Sequence, residues 1–555
     1  EHSQSYKENI RSSTLRTPQH RYIKRSSSTY DVMYALADGA YFARANTPIF
    51  DEAVRRGGSS FYLPTLCIPM LPRRLSEDLM SLNANVVRRA LVFTIRLEKD
   101  GGRVRDTKYT WAKIRSRWKG TYREAQLYYD GKLDLRGKPY RETLDLLKIV
   151  GNLRRAIARS REVVEYNRER GGLRVTKDSK LVSVFERRLK SELYNEQISL
   201  LCNMEGAKIL SRAAKENPLL IHPIFRTQHA PRDSQVRTLE NVIGALVRTH
   251  NLDTSVWLWR RDEGEHLGSY LRRLHHHCGG KSAKFADSRV PEWQWSVLRA
   301  IDRQAMMTNV AASYSSRASG HYALRAPSYA RFSSPMREIV GCFVHKELYE
   351  FFQGGRSRQP RKREVEDTNQ MRKRIIKTAI QAKRTQKKIS GACFKFVLDT
   401  LYAPDLNRPL HQRRKFRGTI LGMDFSKRRS TVYVQCFNPW LEIKLRVEDL
   451  NESYGVVYES VESYSHWVCY FLFAHSSYHS HLRNARTTGY NNPSSSQDAR
   501  RWFRSTRNES SCTYRRCIHC CICGWVHWLS NLRHVRSLEI SCSQRQRKTP
   551  SNEVM

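Results

Sequence analysis

The sequence lacks any hydrophobic run that could cross a membrane. Its most apolar stretch, Trp467–Ala474, is far shorter than the roughly 18 residues that a spanning helix requires. The chain begins at Glu1 rather than Met, and neither an apolar signal region nor a small-residue cleavage site follows. We therefore expect no membrane association, and we interpret the chain as a fragment or a processed product.

Cysteine is sparse over most of the chain. Seven of the 13 Cys are scattered singly over the first 511 residues, and the other six fall within the last 44. Scattered single cysteines are typical of a reducing compartment, so we expect a cytoplasmic protein.

Acidic residues are also scarce, with 53 Asp and Glu against 98 Lys and Arg and a formal net charge of +45. A chain this basic favours polyanionic partners, of which nucleic acid is the commonest. Hydrophobic residues nevertheless make up 40% of the chain, which argues against wholesale disorder. The steepest charge run, 356–388, holds thirteen Lys and Arg against three acids. We interpret it as a basic helix with one narrow apolar stripe, and its basic side is either a solvated face or the lining of a phosphate-bearing groove.

Hydrophobic periodicity mixes strands with helices. Alternating apolar residues predict a strand over 31–38 and a hairpin over 88–116 that turns at Asp100-Gly101-Gly102. A helical period appears in four later segments, 142–168, 192–214, 293–312 and 339–352. The fold class we predict is therefore α+β.

Further strands and two irregular ends complete the predicted organisation. Three short strand-like segments, 416–423, 430–437 and 441–447, are typical of a small barrel that binds single-stranded nucleic acid. Residues 1–30 and 453–555 show no lasting period. We predict five segments in chain order. They are an irregular N-terminal segment (1–30), an α+β domain (31–355), a basic helical connector that closes this domain (356–410), a barrel (411–452) and a tail (453–555).

Two blocks of short motifs carry the most specific signal. The first contains Ser60-Phe-Tyr-Leu-Pro64, Ile68-Pro-Met-Leu-Pro72 and Leu79-Met-Ser-Leu-Asn83, and the second contains Tyr329-Ala-Arg-Phe-Ser-Ser-Pro-Met-Arg337. In this order they resemble the ribonuclease II/ribonuclease R (RNB) family, and the resemblance runs from about Asp31 to Phe352. The segment 416–450 resembles the S1 RNA-binding domain of those enzymes.

The resemblance implies an RNB catalytic-type domain followed by an S1-type OB β-barrel. It implies 3′→5′ hydrolysis of single-stranded RNA to nucleoside 5′-monophosphates, with Mg²⁺ held by Asp carboxylates as the expected cofactor. Single-stranded RNA is then the expected partner, and we expect a monomer.

Individual positions follow from the same resemblance. Arg337 matches an arginine whose planar guanidinium neutralises charge on the reacting phosphate, and Tyr122 matches a tyrosine beside the terminal nucleotides; these are the two predicted catalytic residues. The predicted RNA-binding residues are Tyr62, Arg331, Ser333, Ser334, Glu196 and His222. Simpler interpretations stay open: Arg337 as a structural arginine, either tyrosine as core, and Glu196 and His222 as residues that serve the fold alone.

One departure from the family concerns the metal site. The family places a cluster of aspartates upstream of the first strand, but no Asp precedes Asp31, and Asp38 falls too late to replace the cluster. Arg and Thr, which occupy that window, do not hold Mg²⁺ as carboxylates do. We therefore assign no metal ligands.

Three explanations of the missing cluster stay open. In the first, the chain is a pseudoenzyme that binds RNA without cutting it. In the second, the gene has an altered reading at both ends. In the third, unrelated residues form the metal site. We favour the second because both ends lack periodicity while the middle keeps it. The alternative function is a non-catalytic RNB-fold protein that grips single-stranded 3′ ends.

Two His- and Cys-rich segments are poor candidates for zinc. Neighbouring residues in His275-His-His-Cys278 cannot converge on one ion, and we expect an exposed loop. The tail carries Cys517-x-x-Cys520 without a second pair at a zinc-module spacing.

Overall fold

The computed structural model describes residues 19–63, 66–166, 170–175, 181–186, 188–279, 289–353, 360–406, 408–409, 412, 418–424, 431–437 and 440–446. The chain divides into two compact units. The first is Glu1–Pro231 with Asn309–Leu401, and the second is Arg232–Thr308 with Tyr402–Met555.

Strands dominate the front of the first unit. They are β1 (Gln19–Arg25), β2 (Thr29–Ala37), β3 (Phe61–Tyr62), β4 (Cys67–Ile68), β5 (Val87–Glu98), β6 (Val104–Arg115), β7 (Arg170–Val175), β8 (Leu181–Glu186), β9 (Phe225–Thr227) and β10 (Ser313–Ser315). The main sheet has the order β1-β2-β5-β6, and every pair in it is antiparallel. The predicted strand and hairpin are thus confirmed as β2 and as β5 with β6.

Helices follow in chain order through both units. They are α1 (Gly39–Phe42), α2 (Pro48–Arg55), α3 (Tyr122–Tyr129), α4 (Arg141–Ser160), α5 (Lys190–Glu216), α6 (Asp233–Thr249), α7 (Thr254–Trp257), α8 (Leu267–His277), α9 (Glu292–Thr308), α10 (Ile339–Phe352) and α11 (Lys362–Leu406). A π-helical turn spans Arg74–Leu79, and a 3₁₀ turn spans Tyr322–Leu324. The α+β architecture is confirmed.

The core of the first unit lies between the main sheet and α4, α5 and α10. Alternate residues of β5 point inward, so Phe93 and Ile95 are fully buried. They share one hydrophobic cluster with Ile198 of α5 and Phe343 of α10. Burying such side chains contributes about 1.5–3 kcal/mol each, which makes this cluster the main source of the unit's stability.

Helix α11 confirms the apolar stripe predicted for the basic segment. Ile375, Ala379 and Ala382 are buried, while most of the Lys and Arg side chains between them are at least partly exposed. The helix runs from Lys362 to Leu406, within the bounds 356–410 predicted for the basic helical connector.

The second unit contains a small sheet beside helices. Strands β11 (Gly418–Asp424), β12 (Thr431–Phe437) and β13 (Trp440–Arg446) form an antiparallel sheet, as the three predicted segments indicated. On the helix side, Arg303 of α9 lies 4.2 Å over the Tyr433 ring and pairs with Glu442 at 2.7 Å. The closed S1-type barrel stays a prediction.

Three other expectations differ from the structure. Residues 19–25 were expected to be irregular but form β1. The segment has few apolar residues and no periodicity of its own, and it is a strand because it pairs antiparallel with β2. The helix predicted over 142–168 ends at Ser160. The exposed loop expected at 275–278 is wrong: these residues end α8, and buried His275 contacts Asp302 at 2.9 Å. Residues 1–18 and 453–555 lie outside the described residues.

Candidate functional site

The loop before α10 carries four of the predicted residues, Arg331, Ser333, Ser334 and Arg337. Its backbone is closed by a turn in which the Ser334 carbonyl accepts hydrogen bonds from the N–H groups of Arg337 at 3.2 Å and Glu338 at 3.0 Å. This turn sets the direction in which the Arg337 side chain leaves the loop.

Pro335, in the middle of that loop, is packed between two glycines. A Cβ added at Gly39 would lie 2.8 Å from Pro335 Cβ, and a Cβ added at Gly341 would lie 2.7 Å from Pro335 Cα. The Cys342 thiol donates to the Pro335 carbonyl at 2.9 Å. Since ordinary carbon contacts lie at about 3.5–4.0 Å, the loop can approach α1 and α10 this closely only where both positions lack a side chain.

Arg337 meets Tyr62 although 274 residues separate them in the chain. The Ser60 N–H donates to the Arg337 carbonyl at 3.0 Å, and the Ile339 N–H donates to the Gly58 carbonyl at 2.9 Å. This pairing brings the Arg337 side chain close enough to the Tyr62 hydroxyl for its charge to act on that group. Burial raises the pKa of Tyr62, and the Arg337 charge offsets part of that rise.

The Tyr62 ring remains accessible while its backbone is fixed. Tyr62 is 38% exposed, and its backbone N–H and carbonyl both bond the Gln386 amide of α11, each at 3.0 Å. Arg337 Nε donates to Ser334 Oγ at 3.3 Å. Within the described part of the chain, no carboxylate lies within 4.0 Å of the Arg337 guanidinium. A tyrosine face and a cation without an acidic partner therefore lie side by side.

Arg331, in contrast, has an acidic partner. Its Nη2 lies 2.5 Å from Oε1 of Glu338, and the Tyr314 hydroxyl donates to the same carboxylate at 2.7 Å. Burial opposes ionisation of the carboxyl, but Arg331 and the hydroxyl outweigh it and lower the pKa of Glu338 from 4.5 to about 2. This ion pair neutralises Arg331, whereas Arg337 has no carboxylate within 4.0 Å among the described residues.

A polar stripe on α5 organises the other side of the loop. Asn195, Ser199 and Asn203 are spaced four residues apart, which places them on one helical face. Asn203 Nδ2 donates to Ser333 Oγ at 2.9 Å and to the Tyr329 hydroxyl at 3.0 Å, and its Oδ1 accepts from the Ser333 N–H at 3.0 Å. Ser199 also contacts Ser333, at 3.2 Å. Ser333 is thus a buried structural anchor of the loop.

Tyr122 begins α3 and is held by the same face of α5. Its hydroxyl accepts a hydrogen bond from Asn195 Nδ2, and its carbonyl accepts one from Ser191 Oγ at 2.7 Å. A capping box between Thr121 and Glu124 fixes the start of the helix. Tyr122 is half-buried, and its orientation is determined by α5 rather than by contact with Arg337.

Glu196 and His222, the last two predicted residues, have other surroundings. Glu196 follows Asn195 in the chain and is therefore not on the helical face of the polar stripe. It forms an ion pair with Arg188. His222 is buried, its N–H donates to Glu347, and its Nε2 has no hydrogen-bond partner in the described structure. Burial first, and the charges of Arg372 and Lys346 next, lower the pKa of His222.

The described residues do not fit a magnesium site. No group of three or more His, Cys, Asp or Glu side chains converges among them in a way that could hold a metal ion. Asp38 is 1% exposed, caps α1 through the Tyr41 N–H, and lies 2.5 Å from Arg89. A carboxylate already engaged by a guanidinium is not a free oxygen ligand for Mg²⁺.

Several residues of this site escaped the sequence-based prediction. Asn195, Ser199 and Asn203 were visible as polar side chains at four-residue spacing within an otherwise apolar helix face. Glu338 and Gln386 had no such signal, because their partners are set only by the tertiary fold.

Comparison with known proteins identifies the family. The RNB domain matches residues 15–354. The chain belongs to the RNB domain family. Ribonuclease R of Escherichia coli (strain K12) is 27% identical over 335 residues, which cover 59% of this chain and 36% of that protein. Ribonuclease R of Mycoplasmopsis pulmonis is 24% identical over 331 residues, which cover 59% and 41%. The chain thus spans well under half the length of these relatives.

Solved structures show the same fold. RNase R of Mycoplasma genitalium in complex with ribose methylated single-stranded RNA has a TM-score of 0.64 at 18% identity, covering 79% of this chain and 62% of that one. An active-site mutant of the Dss1 exoribonuclease from Candida glabrata has a TM-score of 0.56 at 13% identity, covering 77% and 48%. None of the described helices combines the length and apolar character needed to cross a membrane.

Proposed function

We propose that this chain binds the 3′ end of single-stranded RNA through its RNB fold. The backbone pairing that places Tyr62 near Arg337 carries the proposal: an accessible aromatic face stacks on a base, and a nearby guanidinium without a carboxylate within 4.0 Å among the described residues meets a phosphate. Family membership and the RNA-bound RNase R neighbour support RNA as the ligand.

In this proposal the other predicted residues have unequal roles. Tyr122 contributes a second aromatic side chain, oriented by α5. Arg331, Ser333 and Ser334 position Arg337, because their own polar groups are engaged within the protein. Glu196 and His222 remain RNA-binding candidates on family resemblance alone.

Replacing Tyr62 tests the proposal. Tyr62→Ala should raise the Kd for a labelled single-stranded RNA about 5- to 150-fold, since base stacking contributes roughly 1–3 kcal/mol. Tyr62→Phe is the matched control: it keeps the ring, loses only the hydroxyl near Arg337, and should bind RNA about as tightly as the unmodified chain. Equal affinity of the Ala variant and the unmodified chain would contradict the proposed contact.

Hydrolysis of that RNA is the second candidate function. Family membership favours it, and the Arg337 guanidinium, which has no carboxylate within 4.0 Å among the described residues, would neutralise charge on a bound phosphate. The family cofactor is Mg²⁺, but the described residues do not fit it, so the geometry supports binding better than cleavage.

Product analysis with Mg²⁺, and with EDTA as the control, separates the two functions. Mononucleotide release abolished by EDTA supports the enzyme, and retarded but uncut RNA supports the binder. If cleavage occurs, Arg337→Ala should reduce the cleavage rate by a much larger factor than it weakens RNA binding; equal fold-losses of both would contradict a transition-state role.

A further inference from the structure

A cationic cavity of about 350 Å³ lies in the first unit, apart from the residues discussed above. It forms between the β5–β6 turn, the end of α4, the middle of α5 and the segment after the 3₁₀ turn. Its charged lining consists of five cations and one acid, Arg103, Arg154, Arg161, Lys208, Arg325 and Glu205.

The cavity is built on a tight contact between the β5–β6 turn and α4. Gly102 has φ +66°, and a Cβ there would lie 2.8 Å from Cβ of Leu153. Glycine therefore permits both the turn and its close approach to the helix. The Gly102 carbonyl accepts a hydrogen bond from Arg154 Nη1 at 3.1 Å, which holds the guanidinium at the cavity wall.

Arg154 is the unusual member of the lining. It is 6% exposed, and within the described residues neither it nor Arg103, Arg161 or Arg325 has a carboxylate within 4.0 Å. Burial, and then the charge of Arg161, lower the pKa of Arg154 to about 10. The guanidinium has one protein acceptor for its five donors, and none of its nitrogens is sealed from the cavity, so the remaining donors are available to an anion that enters it.

The one acid of the lining does not supply that anion. Glu205 accepts hydrogen bonds from Lys208 Nζ at 2.7 Å and from Thr107 Oγ1 at 3.3 Å, so its charge is already engaged. Because Glu205 and Lys208 offset each other, the net charge of the cavity comes from the four arginines of the lining and is strongly positive.

We propose that this cavity binds a phosphate group. Several guanidinium groups around one small cavity match the tetrahedral oxygens of phosphate, and planar arginine forks bind such oxygens in pairs. A small nucleotide or the backbone of an RNA chain would supply the same chemistry. The site is independent of the Tyr62–Arg337 contact, because none of its lining residues belongs to that contact.

The test uses inorganic phosphate, uridine 5′-monophosphate and a single-stranded RNA as probes in calorimetric titrations. The double variant Arg161→Gln/Arg325→Gln removes two exposed cations of the lining. The control Arg136→Gln/Arg159→Gln removes two exposed arginines outside it, so both proteins lose the same charge.

The proposal predicts that the cavity variant binds phosphate and the monophosphate at least about tenfold more weakly than the control, since charge-assisted hydrogen bonds are lost. If only RNA shows this difference, the phosphate comes from an RNA chain. Equal binding of every probe by the two variants would overturn the proposal. Failure of the Tyr62 test would leave the small-phosphate arm unaffected.

Arg154→Met supplies a second measurement. Phosphate should raise the Tm of the unmodified chain by mass action but not that of Arg154→Met. In phosphate-free buffer the variant should be no less stable than the unmodified chain, because it loses an uncompensated buried charge. The same phosphate-induced rise in both proteins would contradict the assignment.

Discussion

Replacing Gly341 by Ala should move the loop that presents Arg337. The new Cβ would lie 2.7 Å from Cα and 2.8 Å from N of Pro335, and 2.9 Å from the Ser334 carbonyl carbon. These are backbone atoms, so no side-chain rotation relieves the contact. Normal separations of about 3.5–4.0 Å require the loop or α10 to shift by about 1 Å. Such overpacking typically costs about 1–3 kcal/mol.

Urea unfolding and RNA titration measure the two consequences of this substitution. Gly341→Ala should lower the free energy of unfolding and weaken RNA binding, because the Arg337 side chain leaves a displaced loop. Gly391→Ala is the matched control: that glycine is also helical, a Cβ there meets no atom within 4 Å, and Ala should stabilise α11 by about 1 kcal/mol. Gly341→Ala with unchanged stability and unchanged RNA affinity would refute the close-packing argument.

Three further predictions concern the surroundings of the loop. Glu338→Gln leaves Arg331 without its anion and should cost about 3 kcal/mol in urea unfolding, whereas a cost under about 1 kcal/mol would show a weak ion pair. Asn203→Ala removes two hydrogen bonds of Ser333 and should cost about 2–4 kcal/mol in the same assay; a neutral effect would contradict the anchoring role. Burial lowers the pKa of His345 from 6.5 to about 4, so its stabilising contribution is present above pH 6.5 and is lost as the pH falls toward 4. Urea unfolding should give a lower free energy of unfolding at pH 5 than at pH 7, and His345→Gln should reduce this difference. The same difference in the variant and in the unmodified chain would contradict the role of His345.

The fold was predictable wherever the signal was local. The β5–β6 hairpin alternates apolar residues around Gly101-Gly102, and α10 begins and ends where the helical period predicted. Strand β1 was not predictable because its segment has few apolar residues, and only pairing with β2 buries Ile23. His275 appeared to belong to a loop because its buried partner, Asp302, lies 27 residues away in the sequence.

The candidate site shows the same division. Family motifs predicted Arg337, Tyr62 and Ser334 as site residues; Arg337 bonds Ser334, and its charge reaches Tyr62. The motifs did not reveal that Glu338 neutralises Arg331, because ion-pair geometry depends on the folded loop. The α5 stripe around Asn203 was readable from four-residue spacing once the helix was known.

We propose that the chain recognises RNA at a single-stranded 3′ end and does not hold it by the +45 charge alone. The most direct test compares two hairpin RNAs of equal length and composition, one with a 3′ overhang and one with the same overhang at the 5′ side. Their total charge is the same, so nonspecific electrostatic binding treats them alike. We predict tighter binding of the 3′-overhang RNA and loss of that preference in Tyr62→Ala. Equal affinity of the unmodified chain for both RNAs would contradict the claim.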